Sequence, residues 1–312
     1  MLIEEIIIYG TISGGTYALL ALGFTLIYGV SEVVNLAHGS LFMLASYMFF
    51  ALTIRFFQLG LLPAMILATI FVAVVASILY RLTIHPVLGN TLSIMVITIS
   101  LAIIFQELMV LVFTSSPQKV PSIGAEFARI LGVNELVIIW GVKLTFSEIF
   151  AFVVSLALFA ILLIFVAKSK IGRAMRAASQ DREVAMLMGV NTERLYMLTM
   201  ALSAALAAVA GILLTSSTGG GQTNPYLWRN PLFMSFAIVI LGGLGSIKGS
   251  FIGAFIIAYV EKTFIFEVDH IIANMLGMPK GGSLSGAVIM ATMMLILIIR
   301  PKGLFGKRVE LE

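Results

Sequence analysis

The chain has 312 residues, of which 60% are hydrophobic and only 11% are charged, and its formal net charge is +4. Soluble domains carry about 25% charged and about 45–50% apolar residues, so this composition excludes a single water-soluble core. The absence of cysteine excludes disulfides, thiolate metal sites and cysteine nucleophiles, and the widely spaced His38, His85 and His270 give little support to a histidine metal cluster.

Apolar runs of about 20 residues recur along the chain, and runs of that length cross a bilayer as helices. Stretches such as ILLIFVAK (161–168) lack the alternation of a membrane β-strand. The sequence therefore predicts an all-α, polytopic membrane protein with eight or nine transmembrane helices. The candidate spans are 5–29, 35–57, 60–80, 91–113, 146–167, 197–215, 231–245, 249–262 and 283–299. The seventh and eighth are short and broken by glycine, which indicates half-helices or re-entrant segments.

The start of the chain, MLIEEIII, has no basic region, so the first apolar run is predicted to stay as a span and not to be cleaved as a signal peptide. Lys and Arg concentrate in residues 168–194 and in the C-terminal tail. Because such residues stay on the cytoplasmic side, the N-terminus with Glu4 and Glu5 is predicted to lie outside.

The second span opens on the polar stretch NLAHGSLF (35–42). Polar groups at membrane depth usually face a cavity or another helix, and Gly39 lets the backbone bend or a helix approach. A helix that begins near Gly39 would point its free N–H groups at a substrate carboxylate, as broken transporter helices do. The residues predicted to line the translocation path or its inner gate are Asn35, His38, Gly39 and Ser40. A helix cap with interhelical hydrogen bonds is the alternative.

A similar pattern occurs late in the chain, where KGSFI (248–252) matches HGSLF (38–42). The match leads to the hypothesis of a parallel two-fold repeat, and it adds Gly249 and Ser250 to the predicted path or gate. Glu107 is a further ionisable residue inside a predicted span, where it faces the pore or pairs with a basic residue near the outer surface. Glu261 is interpreted as a boundary residue at a span end.

Two connections between spans are long. Residues 114–145 are predicted to form a small external cap, either a packed loop or a pocket. Residues 168–196 are predicted to be cytoplasmic, and their length of about 29 residues is too small for a folding domain. No P-loop of the form GxxxxGK[ST] is present, so any nucleotide energy must come from a partner.

The cytoplasmic connection is predicted to form a short amphipathic helix that ends at Gly189. Its apolar stripe comprises Ile171, Ala174, Met175, Ala178, Ala185 and Met188, and its polar face comprises Arg173, Arg176, Gln180 and Glu183. Three interpretations fit: a helix lying on anionic lipid, a solvated loop whose arginines set topology, or a helix that docks into a soluble partner. The mixed charges of Asp181, Arg182 and Glu183 favour a protein over lipid.

Four segments in order resemble one family, the ABC-importer permeases for branched-chain and other hydrophobic amino acids. KIGRAMRAASQDREVAMLMGV (170–190) is similar to the family's cytoplasmic loop, and ALLALGFTLIYGVSEVVNLAHGSLFMLASY (18–47) to its N-terminal signature. ILGGLGSIKGSFIGA (240–254) and RPKGLFG (300–306) resemble its glycine-rich late segment and its ending. Lys248 stands where the family often has proline.

The resemblance implies one permease domain over residues 1–312, similar to the shorter, LivH-like permease subunit, in the plasma (inner) membrane. The implied partners are a second homologous permease, two ATP-binding cassette ATPases, an extracytoplasmic solute-binding protein, membrane lipid and an amino acid substrate. No cofactor, catalytic residue or nucleic acid is expected. The loop would be a coupling helix seated in the ATPase, with a docking surface of Gly172, Arg173, Arg176, Gln180, Asp181 and Gly189.

Two alternatives stay open at this point. Sister permeases share the loop, so an ABC permease for another small solute, such as urea, a short amide or a sugar, fits equally well. The alternative from another class is a secondary transporter or channel driven by an ion gradient. An intramembrane enzyme has no support, because the sequence contains no HExxH, no GxSxG and no paired intramembrane aspartates.

Overall fold

The structure is a computed structural model that describes residues 2–217, 221–268, 290–292, 294–295, 298 and 303–305. These residues are mainly α-helical, as predicted. The helices are α1 (Leu2–Ser31), α2 (His38–Phe50), α3 (Leu61–Leu79), α4 (Thr91–Phe113), α5 (Ile123–Leu131), α6 (Phe146–Lys168), α7 (Lys170–Ala178), α8 (Arg182–Leu187), α9 (Thr192–Ser217), α10 (Arg229–Gly242) and α11 (Ile247–Thr263). In the same residues the strands β1 (Gln118–Lys119) and β4 (Gln222–Thr223) pair antiparallel, as do β2 (Leu136–Ile139) and β3 (Val142–Thr145).

Six helical segments in the described residues are long and apolar enough to cross a membrane, which confirms a polytopic membrane protein. They are Ile3–Ser31, Leu61–Val87, Thr91–Phe113, Phe146–Lys168, Thr192–Ser217 and Ile247–Phe266. Six is fewer than the eight or nine predicted, for two reasons. Predicted span 231–245 forms the shorter helix α10, of 14 residues, and predicted span 35–57 forms α2, of 13 residues, with a π-helical turn at Ala51–Arg55, which is not among the six. Predicted span 283–299 lies largely outside the described residues.

The eighth predicted span, 249–262, is longer in the structure than predicted. Residues 249–262 were predicted as a half-helix because of their glycines, but α11 continues into a π-helical turn at Phe264–Val268 and reaches full spanning length. The glycines do not break it. Gly249 and Gly253 instead face the backbone of α10 around Gly242, where a side chain would find no room. Small residues at such a seam permit close helix packing.

Two helices form the centre of the bundle. In their most apolar 18-residue stretches, α1 and α9 are each 61% buried, against 22% for the segments that contain α3 and α4 and 17% for α6. α1 packs against α6, α9, α10 and α11, and α9 packs against α1, α2, α3 and α6. The outer faces of α3, α4 and α6 carry exposed Ile, Leu, Phe and Val side chains, as expected of surfaces that face lipid.

The two long connections lie at opposite ends of the bundle. Near the start of α1 the Tyr9 hydroxyl donates to the carbonyl of Lys143, at 2.7 Å, in the external cap. Near the end of α1, Val30 lines cavities together with residues of α7. We call the end with α7 and α8 the inner end and the end with the strands the outer end, following the positive-inside rule.

The bundle contains an inverted repeat. α1 runs towards the inner end, the chain then turns back into the bundle, and the short helix α2 runs outward before α3 returns inward. α9, α10 and α11 repeat this order in the opposite direction. Equivalent helices of the two halves make equivalent contacts. α1 packs against α10 and α11 of the second half, and its counterpart α9 packs against α2 and α3 of the first. Within each half the second helix packs against the third, α2 against α3 and α10 against α11. Inverted repeats with discontinuous helices are a common transporter architecture.

This arrangement corrects the hypothesis of a parallel repeat. HGSLF (38–42) opens α2, whereas KGSFI (248–252) lies in the first turns of α11, and the counterpart of α2 in the repeat is α10. The similarity reflects a local requirement shared by two unrelated helix starts: a glycine next to a serine in a tightly packed first turn. Gly39 meets the backbone of α10 and Gly249 that of Gly242.

Candidate functional site

The connection between α1 and α2 enters the bundle as non-helical chain. The backbone N–H of Leu36 donates to Thr98 Oγ1 of α4 at 3.2 Å, which satisfies a main-chain group that lies outside any helix. Asn35 is fully buried: its Oδ1 accepts from the N–H of Ala37 at 3.0 Å, and its Nδ2 points to the sulfur of Met200 at 3.5 Å. α2 therefore begins within the bundle, as the polar stretch predicted.

The first turn of α2 is tightly packed. His38 Nε2 hydrogen-bonds the carbonyl of Leu20 at 3.0 Å, and its ring meets Phe24 edge-on. Ser40 Oγ donates to the carbonyl of Ala37 at 2.7 Å. A Cβ at Gly39 would overlap the main-chain carbonyl of Trp228 at the start of α10.

The structure thus brings the predicted path residues of α2 together, in a packed interior. Their fully buried members are Asn35, His38 and Ser40. Gly249 and Ser250 lie elsewhere, in the first turn of α11: Ser250 Oγ lies 2.6 Å from Thr25 Oγ1 of α1, and Gly249 contacts Gly242 of α10. These contacts are interhelical hydrogen bonds and close packing, and a role of the six residues in the path or its gate stays a prediction.

A polar network at the start of α10 was not predicted. Gln106 of α4 accepts two hydrogen bonds at Oε1, from Trp228 Nε1 at 2.8 Å and from Arg229 Nη2 at 3.4 Å. Its Nε2 donates to Glu107 Oε1 at 3.0 Å. The Arg229 guanidinium also lies over the rings of Tyr226 and Trp228, at 5.4 and 5.8 Å.

This network lies at membrane depth. Glu107 is six residues before the end of α4, which places it roughly 9 Å inside the outer end of that helix. Arg229 and Glu107 are exposed on the surface of the chain, while Gln106 and Trp228 are buried. Arg229 was not among the residues that the sequence analysis singled out. Pro231, in the first turn of α10, was the signal that a helix begins beside Arg229.

The inner connection forms two helices where one was predicted. Asp181 accepts from the N–H of Val184 at 3.0 Å and thereby caps α8, so the chain turns between α7 and α8. Gln180 is exposed at this turn. Gly189 has a φ of +86°, a conformation that favours glycine, and it follows the end of α8 as predicted.

Three of the predicted docking residues hold α7 against α6. Arg176 Nη1 donates to the carbonyls of Val166 and Ala167, and Arg173 Nη1 donates to that of Lys168 at 3.2 Å, so both guanidinium groups satisfy the last carbonyls of α6. Gly172 is buried where a Cβ would overlap the backbone of Val166.

The end of α8 exposes apolar side chains, next to the exposed polar residues of the turn before it. The exposed fractions of Leu187 and Met188, at the end of α8, are 86% and 81%, and that of Val184 is 52%. We call these three residues the α8 tip. Of the predicted stripe, Met175, Ala178 and Ala185 are buried and Ala174 is half-buried, whereas Ile171 and Met188 are exposed.

Cavities lie at both ends of the bundle. The outer one, of about 450 Å³, is lined by polar residues of the external cap and by the end of α9, including Lys119, Ser122, Glu135, Ser147 and Ser216. The inner one, of about 520 Å³, lies between α1, α6, α7 and the start of α11. Within the described residues no group of three or more His, Asp or Glu side chains could hold a metal ion.

Comparison with known proteins gives a full-length match. The family model described as "Branched-chain amino acid transport system / permease component" matches residues 6–298. The chain is 29% identical over 310 residues to BraD of Pseudomonas aeruginosa, a high-affinity branched-chain amino acid transport system permease protein, covering 96% of this chain and 95% of the relative.

Two further relatives cover nearly the same range. LivH of Escherichia coli K12, with the same description, is 30% identical over 308 residues, which are 96% of this chain and 94% of the relative. A probable branched-chain amino acid transport permease protein LivH of Methanocaldococcus jannaschii is 31% identical over 309 residues, 98% of this chain and 92% of the relative. No solved structure matches the chain.

Proposed function

The chain belongs to the family of permease components of branched-chain amino acid transport systems, and from this premise we propose that it forms the translocation path of an ATP-driven importer for branched-chain or similar amino acids. It works as a single permease domain in the plasma membrane, with its N-terminus outside. Its partners are a second homologous permease, two ATP-binding cassette ATPases and an extracytoplasmic binding protein. The permease itself performs no catalysis.

The observation that carries this proposal is the α8 tip. Val184, Leu187 and Met188 expose three neighbouring apolar side chains at the end of the bundle where the basic loop lies. Such a group is costly in water, and it fits a hydrophobic groove of a soluble partner, as helix-in-groove recognition requires. The sequence has no P-loop, so the ATPase is the partner that this function needs.

The contacts behind the tip explain how a docked ATPase would move the membrane helices. α7 is fixed to the end of α6 by Arg173 and Arg176. α8 is followed directly by α9, and Arg182 lies over the ring of Tyr196, 5.6 Å from its centroid. A displacement of the tip therefore acts on α6 and α9 together, and rigid-body motion of packed helices is a recurrent switching mode.

The roles of the predicted docking residues change accordingly. In this proposal the α8 tip enters the ATPase, and Gln180 lies at the rim of the contact. Arg173, Arg176 and Gly172 transmit the motion through α6, and Asp181 and Gly189 shape the turns before and after α8. The external cap at residues 114–145 meets the binding protein at the outer end.

Reconstitution in liposomes tests the proposal. We expect accumulation of labelled leucine when the two permeases, the ATPases, the binding protein and ATP are all present, and none when ATP or any protein is left out. Accumulation by this chain alone under a sodium or proton gradient would contradict an ATP-driven importer. ATP-dependent accumulation of urea or a sugar, without leucine, would keep the class of protein and overturn the proposed substrate.

A further inference from the structure

Two opposite charges, Arg229 and Glu107, lie on the exposed surface of α10 and α4 without a direct contact. Gln106 separates them: its Oε1 faces the Arg229 guanidinium and its Nε2 faces the Glu107 carboxylate. In the part of the chain that the structure describes, no direct ion pair joins Arg229 to Glu107. The cation and the anion thus lie on either side of one amide group, too far apart for a direct ion pair, and both are exposed.

Specific contacts hold Gln106 and Arg229 in this arrangement. Gln106 is buried, and Trp228 Nε1 fixes its amide by a 2.8 Å hydrogen bond. The rings of Tyr226 and Trp228 lie under the guanidinium, which restricts the side chain of Arg229. A guanidinium has five N–H donors, and the 3.4 Å contact with Gln106 occupies one of them. The others are free to bind an anion.

Arg229 and Glu107 lie within the membrane-spanning part of the bundle, so they are not an ordinary ion pair on a water-exposed surface. Ionisable residues inside a membrane rarely face lipid; they face a water-filled cavity or pair with one another. Arg229 is also the first residue of α10, so the positive end of that helix lies at the same place. A carboxylate next to Arg229 would gain from both the guanidinium and the helix end.

The surroundings supply an apolar wall. Phe233 is one turn after Arg229 on the same face of α10, and Ile103 and Ile104 are one turn from Glu107 on α4. Their exposed fractions are 46%, 48% and 52%. Because α10 runs inward and α4 runs outward, all three lie on the inner side of the charged pair.

We propose that Arg229 and Glu107 receive the α-carboxylate and the α-ammonium group of the transported amino acid, with its aliphatic side chain against Phe233, Ile103 and Ile104. The two groups of a zwitterion are borne by one carbon atom, so one amino acid can bridge an arginine and a carboxylate that are separated by a single hydrogen-bonded amide. The site would be the point in the path where the backbone of the substrate is recognised. This inference rests on the proposed function as an amino acid importer.

The test uses the complete reconstituted importer and two readouts: uptake of labelled leucine, and ATP hydrolysis stimulated by the loaded binding protein. We expect Arg229→Gln and Glu107→Gln each to lower uptake at least ~10-fold, because each removes one charge-assisted hydrogen bond to the substrate. Stimulated ATP hydrolysis should stay within ~2-fold of that of the unsubstituted importer. Arg229→Lys should keep more uptake than Arg229→Gln. The matched control is Arg81→Gln, an exposed arginine in the segment Leu61–Val87 at the inner end, and it should leave both readouts unchanged.

Because the chain contains no cysteine, charge at position 229 can also be restored chemically. In Arg229→Cys, aminoethyl methanethiosulfonate adds an ammonium group and should recover uptake, whereas the sulfonatoethyl reagent adds a negative charge and should not. The same reagents on the unsubstituted importer control for thiols in the partner proteins.

The outcomes separate this inference from the proposed function. If the unsubstituted importer carries no aliphatic amino acid, the proposed function fails. If it carries leucine and Arg229→Gln carries it equally well, the zwitterion site is wrong. A parallel loss of uptake and hydrolysis that the ammonium reagent does not reverse would show that Arg229 only stabilises α10, and would also overturn the site.

Discussion

Gly39 lies directly against the main-chain carbonyl of Trp228, so the short helices of the two halves of the inverted repeat cross with no side chain between them. A Cβ at position 39 would also press on Leu232, in the first turn of α10. The contact joins the start of α2, which runs outward, to the start of α10, which runs inward. The relative position of the two short helices therefore depends on a glycine at this point.

Gly39→Ala should impair the protein although it adds one methyl group. Overpacking in a rigid interior typically costs about 1–3 kcal/mol, and here the neighbour is backbone that cannot rotate away. We expect a lower midpoint of thermal unfolding of the purified permease and reduced leucine uptake. Ala160→Val is the control, because Ala160 is exposed on α6. Equal effects of the two substitutions would refute the tight crossing.

Arg173→Glu combined with Arg176→Glu should uncouple ATP hydrolysis from uptake. The two guanidinium groups bind the last carbonyls of α6, and carboxylates in their place would repel those carbonyls. The α8 tip is unchanged, so the ATPase should still bind and hydrolyse ATP while uptake falls. The measurement is the ratio of leucine transported to ATP hydrolysed. Arg194→Glu, an exposed arginine at the start of α9, should leave that ratio unchanged.

Leu187→Gln combined with Met188→Gln should weaken binding of the ATPase. If these exposed side chains fill a groove, their replacement should raise the Kd at least ~10-fold, as loss of an interface anchor does. Thermal stability should be unaffected, since neither side chain packs in the permease. Leu131→Gln, whose leucine is 61% exposed in the external cap, is the control for lost surface hydrophobicity. An unchanged Kd, measured by titration of the purified ATPase, would exclude the tip as the docking element.

Labelling of single cysteines should place the two long connections on opposite sides of the membrane. A membrane-impermeant thiol reagent added outside intact cells should modify Val133→Cys, in the external cap, and should not modify Ser179→Cys, between α7 and α8. Both positions are exposed, so access depends on the side of the membrane alone. After permeabilisation Ser179→Cys should react as well. The reverse pattern would invert the orientation.

The long spans were predictable because their signal is local. An uninterrupted apolar run specifies a membrane helix by itself, and α4 and α6 begin and end within a residue of the predicted 91–113 and 146–167. The cap of α8 was also readable: Asp181 is followed by Glu183 in the first turn of a helix, a typical N-terminal pattern. The sequence analysis assumed one continuous helix and so missed this cap, while the family resemblance assigned Asp181 to a docking surface.

The features that need tertiary contacts were not predictable. Nothing near Arg229 in the sequence shows that Gln106, more than 120 positions earlier, accepts its hydrogen bond. The inverted repeat is not evident in the sequences of α2 and α10, because the two halves share the directions and packing of their helices and not their residue types. The same holds for Glu261, which was interpreted as a boundary residue from its place at a span end, but is 7% exposed and faces α1.

Tyr17→Phe should destabilise the permease by leaving the Glu261 carboxylate without its main donor. The Tyr17 hydroxyl lies 2.7 Å from Glu261 Oε2, and the Lys262 ammonium is farther away, at 3.8 Å. Removal of one partner of a buried hydrogen bond costs about 1–3 kcal/mol, and more when the remaining group is charged. We expect a lower midpoint of thermal unfolding for Tyr17→Phe and no change for Tyr226→Phe, whose tyrosine is exposed. Glu261→Gln should restore much of the loss in the Tyr17→Phe background, because a neutral amide is cheaper to bury without a donor than a carboxylate. Additive effects of the two substitutions would show that Tyr17 and Glu261 do not depend on each other.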